Sequence, residues 1–156
     1  MTKIFAINEL LNFAVKIEEE GIAFYKDMAA KAKNNDAKDL YNYLMKEEVD
    51  HRKTFQGMLN NVSKEVSPGT YSDEYNSYMR ALVESTVFKK DDKQKASISN
   101  DSEAMEFAID KEKDSILFYL GMKEYVQDKN KSAIDKVIEE ERTHVVKLLD
   151  IKEKIG

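Results

Sequence analysis

The chain holds only two histidines, and each stands three residues after a glutamate in a segment patterned like a helix, LMKEEVDH ending at His51 and VIEEERTH ending at His144. Taken by alternate steps of four and three, the first segment belongs to the series Ala37, Tyr41, Leu44, Glu48, His51, Phe55, Met58, Val62. The second belongs to Ile134, Val137, Glu141, His144, Leu148, Ile151. Two more series follow the same rhythm: Leu11, Ala14, Glu18, Gly21, Tyr25, Met28, Ala32 and Met105, Ala108, Glu112, Ser115, Tyr119, Met122, Val126. Each is the apolar stripe of an amphipathic helix, broken only at its middle by Glu or by Glu with His one turn later. Any fold that buries these stripes must also bury four carboxylates and two imidazoles. Unpaired carboxylates in such a place are strongly unfavourable or are neutralised by a raised pKa.

Five glycines, one proline and no alternating β-branched runs favour helix over strand. The periodicity predicts helices over 6–33, 36–62, about 100–127 and 132–154, joined within each pair by the polar stretches Lys33-Asn34-Asn35 and Asp128-Lys129-Asn130. Such short connections make antiparallel neighbours. Between the pairs, Ser67-Pro68-Gly69 breaks the chain, 71–88 reads as a weaker, tyrosine-rich helix, and 89–99 reads as a charged loop. Asn100 with Glu103 forms a capping-box pattern. AVKIEEEGIAFY from Ala14 lies over AIDKEKDSILFY from Ala108, and the two Glu-x-x-His segments superpose in the same way. The expectation is an all-α chain, one domain over 1–156, built as an antiparallel four-helix bundle of two related hairpins with a long crossover that contains a short helix. The arms from Glu18 and from Glu48–His51 to the first turn are equal, as are those from Glu112 and from Glu141–His144 to the second, so all six groups can meet at one level.

A net charge of −5 gives no basic surface for nucleic acid or an anionic membrane. There is no cysteine, so thiolate metal sites, disulfides and cysteine nucleophiles are excluded. No apolar run approaches the roughly 20 residues that span a bilayer, and MTKIFAINEL lacks a signal peptide's apolar stretch. A cytoplasmic protein is the expectation.

Glu19, Glu20, Glu47, Glu139 and Glu140 lie beside the stripes with Lys16, Lys26 and Asp50, and read as solvated faces. Glu18, Glu48, Glu112 and Glu141 do not. Four carboxylates and two neutral imidazoles at one level call for cations, and two divalent ions cancel the charge. Oxygen and imidazole donors suit iron or manganese, and zinc can also use them. One tetrahedral ion would leave donors and charge unused. Tyr25 and Tyr119, seven residues after Glu18 and Glu112, either donate hydroxyls to the carboxylates or are simply core residues. Met28, Met45, Met58, Met105 and Met122 read as core filler. Tyr71, Tyr75 and Tyr78 are expected to pack across the bundle or at a subunit contact of a homo-oligomer.

On these residues the chain resembles the ferritin-like superfamily, and within it the rubrerythrin-type diiron domains. One Glu from each of two helices and Glu-x-x-His from each of two others is the pattern of the ferritin-like carboxylate proteins, and the Phe-Tyr pairs and long crossover match as well. The resemblance implies that Glu18, Glu48, His51, Glu112, Glu141 and His144 bind two irons; Tyr25 and Tyr119, singled out by their position along the stripes, are the candidate catalytic residues beside them. The resemblance further implies reduction of hydrogen peroxide or oxygen. The alternatives are a protein that oxidises or holds ferrous iron without turnover, or a metal-stabilised structural bundle. Full rubrerythrins add a four-cysteine rubredoxin domain, so the resemblance makes the electron donor here a separate, rubredoxin-like protein. They also tend to carry another carboxylate where this chain has Ser115.

Overall fold

The computed structural model describes residues 6–62, 73–87 and 92–156. Six α-helices occur there: α1 (Ile7–Lys31), α2 (Asn35–Asn61), α3 (Asp73–Ala81), α4 (Asp92–Ala96), α5 (Asp101–Lys123) and α6 (Asp128–Ile155). A π-helical stretch, Leu82–Val87, continues α3. The order matches the expected bundle, with α1 and α2 as one hairpin, α5 and α6 as the other, and α3 and α4 on the crossover.

Contacts between α1 and α5 run in opposite order along the two chains. Asn34 N–H, just after α1, donates to Asp101 at 2.9 Å, Tyr25 meets Glu112, and Tyr119 meets Glu18. These helices are therefore antiparallel, and the same holds for α2 and α6, where Glu47 faces His144 and His51 faces Glu140. The chain leaves α2 at one end of the bundle and must start α5 at the other. A 27-residue helix is about 40 Å long, which accounts for the long crossover.

The crossover is fixed to the bundle through α3. Tyr75 donates its hydroxyl to the Gly121 carbonyl at 2.6 Å, and Tyr125 donates to Asn76, which is buried, at 2.8 Å. Met79 is wholly buried against Gly121, where a Cβ would fall 2.3 Å from its sulfur. Glycine is needed there for room. Tyr75 thus packs on the bundle as expected, whereas the Tyr78 ring stays exposed. Tyr71 and Ser67-Pro68-Gly69 lie outside the described residues.

Several boundaries differ from the sequence reading. The segment 89–99, expected to be a loop, contains α4. Asp128-Lys129-Asn130, expected to be the break before the last helix, forms its first turn instead. The N-cap position of that helix is Gln127, whose side chain makes no cap hydrogen bond, which removes the usual signal. The break falls at 124–127, so α5 is shorter than the predicted 100–127. Asn100 does cap α5, accepting from Glu103 N–H at 2.8 Å, but Glu103 turns its carboxylate to Ser99 instead of completing the box with Asn100.

All four stripes face inward, and their apolar residues, with neighbours such as Leu10 and Phe118, form two separate cores. One gathers Leu10, Leu11, Phe55, Phe118, Tyr119 and Ile134; the other gathers Tyr25, Ala37, Tyr41, Leu44, Met105 and Leu148. Between them lies a polar layer. No described helix is long and apolar enough to cross a membrane.

Candidate metal centre

The polar layer consists of Glu18 from α1, Glu48 and His51 from α2, Glu112 from α5, and Glu141 and His144 from α6. All six are at most 4% exposed. The structure therefore brings together every one of the six residues singled out from the stripes. Their placement follows from the helices: Glu and His three apart lie one turn from each other on one face, and equal arms bring both hairpins to one level.

The donor atoms form two overlapping groups. Glu18, Glu48, His51 and Glu141 each offer an atom within 4.8 Å of the others, and so do Glu48, Glu112, Glu141 and His144. Glu48 and Glu141 belong to both. Each histidine turns Nδ1 toward the carboxylates: His51 Nδ1 lies 2.7 Å from Glu141 and 3.7 Å from Glu48, and His144 Nδ1 lies 3.6 Å from Glu112 and 3.7 Å from Glu48. The two rings stack with centroids 5.6 Å apart.

This set is incomplete as a network of hydrogen bonds. Glu18 Oε2, Glu112 Oε2, Glu141 Oε1 and both Nδ1 atoms are buried without a hydrogen-bond partner. His51 Nδ1 and Glu141 Oε1 are close enough to attract but make no hydrogen bond. Buried polar atoms are nearly always paired, so a convergent set of orphans points to a missing positive partner. Carboxylate oxygen and imidazole nitrogen are donors for a divalent iron, manganese or zinc ion, and the residues fit a pair of such ions.

Charge is managed by protons when no metal is bound. Burial, then the Glu48 and Glu141 carboxylates, pushes Glu18 well above the usual carboxyl range. Burial and Glu48 likewise push Glu141 up to about 7. For Glu48 burial acts in the same sense, but the Glu18 carboxyl and the His144 and His51 imidazoles beside it outweigh burial and hold the group at about 2. Burial alone would lower both histidines; the carboxylates around them win and raise them. The imidazoles then carry part of the positive charge that two divalent ions would supply, and protons held on Glu18 and Glu141 remove much of the remaining negative charge.

Tyr25 and Tyr119 lie deep in the site, each bonded to the opposite hairpin. Tyr25 donates to Glu112 Oε1 at 2.5 Å, and Tyr119 donates to Glu18 Oε1. Two turns along a helix is too far to reach the glutamate of the same stripe directly. Because α1 and α5 are antiparallel and helical side chains lean toward the amino terminus, each ring reaches across. Burial first, and negative neighbours after it, keep both phenols protonated as donors.

Glu47 and Glu140 are where the structure corrects the sequence reading. They are not purely solvated: their side chains are 23% and 31% exposed and face the outer nitrogens of the histidines. Glu140 Oε2 stands 3.1 Å from His51 Nε2, and Glu47 Oε1 stands 3.7 Å from His144 Nε2. Each stands directly before the glutamate of a Glu-x-x-His step, but in the run Glu139-Glu140-Glu141 the sequence alone does not mark which one turns inward. Ser115 offers the site no ligand, since its hydroxyl donates to the Lys111 carbonyl at 3.0 Å.

A family model described as Rubrerythrin matches residues 9–152. A crystal structure described as that of a ferritin-like diiron-carboxylate protein from Thermotoga maritima superposes with a TM-score of 0.74 at 23% identity, covering 97% of each chain. At that identity the likeness shows the fold. No curated protein matches the sequence.

Proposed function

The chain belongs to the rubrerythrin family, and from that premise we propose that it is a diiron protein that reduces hydrogen peroxide or oxygen. The observation that carries this reading is the pair of four-residue groups sharing Glu48 and Glu141. In it, Glu18 and His51 would hold one ion and Glu112 and His144 the other, with Glu48 and Glu141 available to either.

A bound ferrous pair supplies two electrons, which with two protons convert hydrogen peroxide to two waters. The chain's own residues set the conditions. Tyr119 and Tyr25 each occupy one oxygen of Glu18 and Glu112, leaving Oε2 of each carboxylate turned inward. The two apolar cores close the layer above and below and bury it away from bulk solvent, which strengthens every charge interaction in it. None of the 156 residues is cysteine, so these residues hold no thiolate iron to relay electrons, and the proposed source is a rubredoxin-like donor outside them.

One observation favours a second reading. With Ser115 bonded to its own helix, the site lacks a further carboxylate one turn after Glu112, and a site so built can oxidise ferrous iron once without cycling. Metal analysis of protein purified without oxygen identifies the ions. Stopped-flow mixing of the ferrous protein with peroxide, and separately with oxygen, tests the activity. Oxidation faster than that of free ferrous ion, made catalytic by an added donor, is expected. Oxidation without re-reduction by any donor supports the second reading, and no acceleration at all removes the redox function.

A further inference from the structure

The two halves of the centre are near copies, yet the groups behind the two histidines differ. Behind His51, Glu140 Oε2 meets Nε2 at hydrogen-bond distance, 3.1 Å, and the other oxygen of Glu140 is 4.0 Å from Lys136 Nζ, one turn earlier on α6. Behind His144 the corresponding carboxylate is drawn away. Glu47 Oε1 accepts a hydrogen bond from Tyr43 at 2.9 Å and stays 3.7 Å from Nε2, which is left buried without a hydrogen-bond partner. Tyr43 is itself held, with Lys147 Nζ 4.1 Å above its ring. In the internal repeat Tyr43 occupies the place of Lys136, so the difference is written in the sequence.

A histidine that donates its outer N–H to a carboxylate is fixed in tautomer and ring orientation, and its inner nitrogen becomes a better donor; losing such a partner typically weakens metal binding 10–100-fold. We propose that the two metal positions are inequivalent and that Glu140 makes the position built on Glu18, Glu48, His51 and Glu141 the tighter, so that a divalent ion fills it first. Glu140 is a positioning residue acting through His51. Glu47, engaged by Tyr43, gives His144 much less support. The inference rests on the dinuclear reading above.

The test is a titration of metal-free protein with cobalt(II), followed by visible absorption and calorimetry, together with anomalous diffraction from crystals holding one equivalent. Two ions should bind in separate steps, the first beside His51. Glu140→Ala should weaken the first step about 10–100-fold, and Glu140→Gln, which keeps an acceptor oxygen, should recover part of that loss. Glu47→Ala should leave the first step unchanged. The melting temperature of each metal-free variant reports folding separately from affinity. Two equal steps in the parent protein, one equivalent spread over both positions, or equal effects of Glu47→Ala and Glu140→Ala would overturn the inequivalence while leaving the dinuclear site standing. Failure of the parent protein to bind a second ion would overturn the dinuclear reading and this inference with it.

Discussion

The Tyr25 hydroxyl on α1 sits 2.5 Å from Glu112 Oε1 on α5, joining the two hairpins through a buried hydrogen bond. Tyr119 makes the reciprocal bond to Glu18. Tyr41 stacks on Tyr25 at 6.0 Å, but its own hydroxyl is buried without a hydrogen-bond partner. Removing a bonded partner strands a buried acceptor at a cost of about 1–3 kcal/mol, whereas removing an orphan does not. Tyr25→Phe and Tyr119→Phe should each destabilise the metal-free protein by about that amount in urea titration, and Tyr41→Phe should be neutral or stabilising. A loss as large for Tyr41→Phe would show that its hydroxyl is satisfied after all.

Metal stoichiometry should separate the shared glutamates from the others. Glu48 belongs to both donor groups and Glu18 to one. Glu48→Ala should therefore abolish tight binding of both ions, Glu18→Ala should leave one, and the exposed Glu19→Ala should leave two. In the parent protein, free metal at a hundredfold excess over its dissociation constant stabilises by about 2.7 kcal/mol. That gain, read as a rise in melting temperature, should vanish on chelation.

The benefit of metal should grow with pH. Glu18 and Glu141 have raised pKa values, the latter about 7, so in metal-free protein their neutral forms are favoured and a stability cost appears as pH rises above the ordinary carboxyl value of 4.5. Both histidines are also raised, so the stability they contribute is full below 6.5 and is lost as pH climbs through their folded values. Glu48, held at about 2, contributes fully above 4.5 and adds no slope there. Bound metal displaces these protons. The difference in melting temperature between loaded and metal-free protein should widen from pH 5 to pH 8, and protons should appear in weakly buffered solution on loading. A gap that narrows would reverse the assignment of charge.

Gly121 gives a test of how the crossover is held. An added Cβ falls 2.3 Å from Met79 Sδ and 3.7 Å from the Tyr75 hydroxyl. Gly121→Ala should destabilise by about 1–3 kcal/mol through overpacking, and much less when Met79 is also changed to Ala. Equal penalties in both backgrounds, measured by thermal denaturation, would mean that α3 does not press on α5 there.

The stripes made the fold and the six convergent groups legible, because burial of a helix face and the Glu-x-x-His step are both local in sequence. Every apolar residue of the four series is buried or partly buried, from Leu11 and Ala37 to Met122 and Leu148. The less legible features depend on what lies opposite. Nothing within α6 tells Glu140 from Glu139; the difference is His51 on the other hairpin, one helix spacing away. Tyr25 points at Glu112 and not Glu18 for the same reason. The start of α6 was hidden because Gln127 gives no cap, and α4 because five residues are too few to show a period.

The cross-bonded tyrosines and facing glutamates also define a symmetry. Tyr25 to Glu112 maps onto Tyr119 to Glu18, and Glu140 behind His51 maps onto Glu47 behind His144, which is the relation of two objects about a twofold axis. Each apolar core draws residues from both hairpins, so neither hairpin owns a core and neither completes a donor group by itself. Two identical hairpins set about that axis would bury the same surfaces and complete the same centre as a dimer. With both halves in one chain, Tyr43 and Lys136 can differ while the carboxylates they flank stay alike, a divergence that a symmetric pair of identical subunits could not have.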